Sequence, residues 1–112
     1  MPLYEINLSQ RGGVRMIELY GEFDIDSLRN LSNTLRREAA SGRAVSVDLS
    51  GITFADVRTM RELSEALLSY PRLSLCSPSW QVLASVHSCG LEDRLSFGPA
   101  VSGITGIARK AS

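Results

Sequence analysis

The residues of this chain that could do chemistry are few. His87 is the single histidine. With Ser85, Ser88 and several aspartates it allows a serine–histidine–aspartate triad to be written on paper. The surroundings argue against one, because His87 falls inside a helical stretch and no Gly-x-Ser-x-Gly elbow precedes a helix. No pair of carboxylates stands in an acid–base context, and no glycine-rich loop of the P-loop or dinucleotide type occurs. Cys76 and Cys89 lack zinc-site spacing and read as reduced packing residues among apolar neighbours. The expectation is no enzyme, no metal and no cofactor.

Three other positions carry more information. Asp48 lies in an apolar strand, so its carboxylate needs partners, and the backbone N–H groups that follow it are the natural ones. Asp56 stands just before a helix and has the spacing of an N-cap, a role worth about 1 kcal/mol. Val57, Arg58 and Thr59 would then form the first helical turn. A cation there opposes the helix dipole by roughly 0.3–1 kcal/mol, so Arg58 is not placed for stability. An apolar Val57 beside a basic Arg58 suits contact with a partner. Trp80 opens a further helix, either as a staple onto the sheet or as an exposed anchor.

The elements that position these residues follow from periodicity. Tyr4 to Leu8 alternates as a strand, Gly12-Gly13 marks a turn, and Val14 to Tyr20 reads as the second strand of a hairpin. Gly21 to Asp24 ends it. Leu28, Leu31, Leu35 and Ala39 share one face of a first helix, capped by Asp26 or Ser27 and stopped at Gly42. The stretch from Val45 to Leu68 organises the chain. It comprises a strand, Val45 to Leu49, a loop, Ser50 to Ala55, and a second helix with Met60, Leu63 and Leu67 inward. That helix ends near Ser69, before Pro71. Arg72 to Cys76 reads as a fourth strand. Ser77 and Pro78 read as the cap and first residue of a third helix that turns Val82, Leu83 and Val86 inward and ends at Gly90. Arg94 to Phe97 would complete the sheet. Pro99 to Ser112 reads as a weak C-terminal helix or tail, since Gly103 and Gly106 each cost it about 1 kcal/mol. The order implies an α/β fold in a single domain, residues 1–112. A mixed four- to five-stranded sheet would carry its helices mainly on one face.

Composition agrees with an ordinary globular domain: 112 residues, 44% hydrophobic and 21% charged. Lys plus Arg equals Asp plus Glu at 12 each. Zero net charge gives no electrostatic footprint for nucleic acid. It weakens self-repulsion, so a homodimer is among the expected partners. No apolar run is long enough to insert into a membrane, no secretory signal opens the chain, and the cytoplasm is the simplest location.

The chain resembles a STAS domain, the module shared by anti-sigma factor antagonists and sulfate transporters. The resemblance is carried by Gly21-Glu22-Phe23-Asp24, by Val47 to Asp56 (VDLSGITFAD), and by Cys89-Gly90-Leu91-Glu92-Asp93. It covers roughly residues 4 to 110. Antagonists of this family carry Asp-Ser-Ser-Gly at the start of the second helix, and the first serine accepts phosphate from a partner kinase. Here Asp56-Val57-Arg58-Thr59 stands in that place, and the acceptor position is Val57, which has no hydroxyl. Thr59 is the only hydroxyl left in the turn and is the one candidate for phosphorylation.

The resemblance therefore implies a protein-interaction module. It would dock a partner like an anti-sigma factor kinase through Ser50, Thr53, Asp56, Val57, Arg58 and Thr59, with Asp24 and Asp48 in supporting roles. A second reading is an accessory subunit of a membrane lipid transport ATPase. A third is a small ligand, nucleotide or lipid, held between the sheet and the last helix.

Overall fold

The computed structural model describes residues 3–98. The segment 99–112, expected as a weak helix or tail and as one wall of a ligand site, lies outside the described residues. Strand β1, Tyr4–Arg11, turns through Gly12 and Gly13 into β2, Val14–Phe23. Both glycines have positive φ, 56° and 82°. The two-residue type I′ turn that matches strand twist requires that conformation, and it sets Arg11 opposite Val14. Helix α1, Ile25–Ala39, then leads to β3, Val45–Ala55, helix α2, Val57–Ser69, and β4, Leu73–Cys76. Helix α3, Trp80–Ser88, and the short β5, Phe97–Gly98, complete the described chain.

The strands form one mixed sheet in the order β1-β2-β3-β4-β5, with β1 antiparallel and the rest parallel. Each parallel step moves the same way across the sheet. Right-handed crossovers then place all three helices on one face, and α2 packs against both α1 and α3. The α/β class, the single mixed sheet and the one-sided helix layer match expectation.

The core lies between that face and the helices. Ile17, Leu19 and Phe23 of β2 meet Val45, Val47, Leu49 and Ile52 of β3, beneath Leu31, Leu35, Met60, Leu63, Val82 and Val86. The β2 pattern left its buried face open, and the structure shows why. Ile17 and Leu19 join the core, while Met16 is buried on the opposite face. On that opposite face Ser46 Oγ lies 3.3 Å from the buried Cys76 sulfur. Both cysteines are free thiols.

Several boundaries differ from the sequence reading, each for a local reason. Residues 21–23 do not end β2. Gly21 has φ +92° beside a register shift, and a Cβ there would lie 2.2 Å from the Leu3 carbonyl oxygen. It marks a bulge with close backbone approach. The expected loop from Ser50 to Ala55 is likewise the second half of β3, because the extended β2 supplies its partners: Tyr20 faces Gly51, Glu22 faces Phe54 and Phe23 faces Ala55. The cap of α1 is Asp24 rather than Asp26 or Ser27. Its Oδ1 accepts from Asp26 N at 2.9 Å, while Ser27 Oγ accepts from Asp24 N at 3.0 Å. This is a reciprocal capping box.

Helix α3 starts two residues later than expected. Ser77 takes φ 53°, and Ser79 is the cap, accepting from Val82 N at 3.2 Å. Val82 and Val86, four residues apart on one helix face, are buried, while Leu83 is exposed. The last strand is Phe97–Gly98 rather than Arg94 to Phe97, since residues 92–94 form a turn.

Candidate docking site

The carboxyl ends of β2 and β3 are tied to the first turn of α2 by a compact set of hydrogen bonds. Asp56 caps the helix as expected, its Oδ1 accepting from Thr59 N at 3.0 Å. The Phe23 carbonyl accepts twice, from Asp56 N at 3.1 Å and from Thr59 Oγ1 at 3.2 Å. The Phe23 ring is buried and packs against Tyr4, with centroids 5.3 Å apart. Helix α3 holds the same strand end. Ser79 Oγ donates to Ile52 O at 2.7 Å, and Ser85 Oγ donates to Ala55 O at 3.1 Å. The start of α2 is thus fixed from both neighbouring elements, and the side chains projecting from it are positioned by a rigid base.

Those side chains divide sharply. Val57 is 41% exposed, and Arg58 extends into solvent, its Nη1 3.7 Å from Asp56 Oδ2. An exposed pair at that distance contributes about 0–1 kcal/mol, so it does not hold Arg58 against a competing partner. Thr59 is 0% exposed. This corrects the expectation that Thr59 presents a hydroxyl for contact or phosphorylation. Its Oγ1 points inward to the Phe23 carbonyl, and phosphate could reach it only by opening the first turn.

Ser50 and Thr53 are exposed on β3. Asp48 Oδ1 accepts from Ser50 N at 2.9 Å, so the carboxylate braces the strand where its register shifts. Asp24 caps α1 one residue beyond β2.

Sequence reasoning missed Ile25 and Phe54 on this edge and left Trp80 between a staple and an exposed anchor. Ile25, Phe54 and Trp80 are exposed at the carboxyl ends of the strands, together with Val57. Ile25, Val57 and Trp80 are each the first residue of their helix. For Ile25 the signal was an apolar residue directly after the cap, visible only once Asp24 is recognised as that cap; Phe54, inside β3, carries no such signal. Trp80 is 74% exposed, so it does not staple α3 to the sheet.

Among the described residues no catalytic arrangement forms around His87. Ser85 is committed to Ala55, and His87 Nδ1 lies at the surface 2.7 Å from Glu92 Oε2. The Glu92 carboxyl is held below its ordinary value of 4.5, first by a backbone hydrogen bond and then by His87. Among the described residues no group of His, Cys, Asp and Glu could hold a metal, and no helix is long and apolar enough to cross a membrane.

A family model described as "Mlab, STAS domain" matches residues 6–99. No curated protein matches the chain. Among solved structures, the chain is similar to an anti-sigma factor antagonist from Mycobacterium paratuberculosis, at 16% identity, 88% of this chain, 87% of that one and a TM-score of 0.74. It is also similar to an antisigma-factor antagonist STAS domain from Rhodobacter sphaeroides, at 17% identity, 71% of this chain, 91% of that one and a TM-score of 0.53. The anti-sigma factor antagonist SpoIIAA in its unphosphorylated form gives 19% identity, 87% of this chain, 89% of that one and a TM-score of 0.54. At these identities the likeness is one of fold.

Proposed function

The chain belongs to the STAS domain family, and on that premise we propose that it is a non-enzymatic protein-interaction module of the anti-sigma factor antagonist kind. It docks a protein partner through the end of β3 and the start of α2, and it does so without a serine phosphoswitch. The observation that carries this reading is the division within one turn. Val57 and Arg58 project from a braced helix start, while the one hydroxyl beside them, on Thr59, is buried and bonded. Phosphate at such an interface would add about two negative charges at a single point, and here no exposed hydroxyl in the turn is available to receive it. Binding is therefore constitutive, or switched on the partner's side. The partner fits an anti-sigma factor kinase-like regulator.

Incubating the chain with ATP and its cognate kinase tests the proposal. Intact mass is expected to stay unchanged while the complex forms. Stoichiometric phosphate on the chain would overturn it.

The absence of an exposed hydroxyl in the turn equally fits an accessory subunit of a membrane lipid transport ATPase. Capture on the wild-type surface, with a Val57→Glu surface as control, separates the two readings. The control-sensitive protein would be kinase-like in the first case and an ATP-binding cassette protein in the second.

A further inference from the structure

The two edges of the sheet are unlike. β5 is two residues long and offers little backbone for pairing. β1 is eight residues long, pairs with β2 in an unbroken register, and contains neither proline nor lysine. Among the described residues nothing pairs with its outer side. Edge strands of this length ordinarily carry a bulge, a proline, a lysine or a cover to prevent pairing with another chain.

The hairpin turn fixes which groups point outward. Arg11 and Val14 flank a two-residue turn as a hydrogen-bonded pair. Counting back, Arg11, Ser9, Asn7 and Glu5 aim their backbone groups at β2. Gln10, Leu8, Ile6 and Tyr4 aim theirs away from the sheet. The side chains of that second set lie on the helix-bearing face, because Ile6 stands opposite Leu19 and Leu8 opposite Ile17, both core residues. Leu8 is 40% exposed, beside a groove that Tyr4, Ile6, Asn30, Thr34 and Arg37 also line.

We propose that β1 pairs antiparallel with β1 of a second copy of this chain, about a two-fold axis at Leu8. Side-chain parity restricts the registers to those that keep both helix layers on one face. The register centred on Leu8 sets Leu8 against Leu8 and Ile6 against Gln10. It also sets Glu5 against Arg11 of the second copy, twice by symmetry. Registers centred on Ile6, Asn7 or Ser9 leave both charges without an opposite partner. Opposite charges directly across a strand pair stabilise it, and like charges destabilise it.

Arg11 already reaches Glu18 at 3.3 Å, and its fork of five donors can serve that carboxylate and the incoming Glu5 together. The long stem of Arg37 can lie over the joined leucines while its head stays in water. The zero net charge of the chain opposes association only weakly. The result is a continuous ten-stranded sheet. The start of α2 follows β3, two strands in from the seam, so docking there and pairing here are independent.

Sedimentation of the full chain over a concentration series tests the proposal. A reversible monomer–dimer equilibrium is expected. Leu8→Pro removes an outward N–H without touching the β2 ladder, and it should leave the chain folded and monomeric. Glu5→Arg should weaken the dimer about tenfold, and adding Arg11→Glu should restore it. A wild-type chain that stays monomeric throughout, or a dimer that survives Leu8→Pro, would overturn the pairing. Failure of the double charge reversal to rescue would overturn the register.

Discussion

Replacing Thr59 by valine separates a hydroxyl that anchors α2 from one that serves a partner. The substitution keeps the shape of a fully buried side chain and deletes one hydrogen bond, Oγ1 to the Phe23 carbonyl at 3.2 Å. That carbonyl keeps its second donor, Asp56 N at 3.1 Å, so no buried group is orphaned. The cost is then the net value of one neutral hydrogen bond, about 1 kcal/mol. At this chain length that lowers Tm by roughly 3–6 °C. Thr59→Glu differs sharply, because an unpaired carboxylate at a site with no exposure costs several kcal/mol and should unfold the first turn of α2. Calorimetry of the three proteins gives the stabilities, and titration with the partner gives the affinities. Thr59→Val should melt slightly earlier and bind as wild type. Unchanged stability with lost binding, or a Thr59→Glu chain as stable as wild type, would refute the inward hydroxyl.

Other expectations follow from the same geometry. Val57→Glu places an anion at the first position of α2, where the dipole favours it by roughly 0.3–1 kcal/mol; denaturant melts should show unchanged or higher stability despite the lost partner contact. Gly51→Ala sets a Cβ 2.3 Å from the Tyr20 ring and 2.8 Å from the Leu19 carbonyl. It should destabilise the domain by about 1–3 kcal/mol, the usual range for overpacking, read from urea unfolding. Leu63→Ala in the core should cost about 2–5 kcal/mol by the same assay.

The depressed Glu92 carboxyl gives a pH dependence of defined sign. Its contribution is present above the unfolded-state value and fades as pH falls through the lower folded-state value. Carboxyl NMR should find its midpoint below 4.5, and Glu92→Gln should flatten the acid limb of the stability profile.

Periodicity and punctuation made most of the fold legible. The 3.6-residue spacing located three helices, and the Gly12-Gly13 pair located the hairpin. The Asp56 cap was readable because it precedes an apolar helix at the ordinary distance. What failed turned on contacts that local spacing does not show. Gly21, Gly51 and Ser50 looked like punctuation, yet each sits within a strand. Gly21 and Gly51 leave room for close approaches of neighbouring strands, and all three lie at register shifts that only the pairing of β2 with β3 reveals. The capping box of α1 displaced its start by a turn's fraction, because Ser27 serves as the third helical residue rather than as the cap. Thr59 was misjudged because helix position alone does not say which way a side chain faces. That direction is set by the Phe23 carbonyl, a residue 36 positions earlier. Trp80 was left between two readings that only its exposure decides.

The most direct test of the docking account is a titration of the partner with wild type, Val57→Glu and Thr59→Val under identical conditions. The account predicts that Val57→Glu weakens binding by at least about thirtyfold, the loss expected at an interface hot spot, while Thr59→Val binds unchanged. Wild-type affinity in a folded Val57→Glu chain would contradict it.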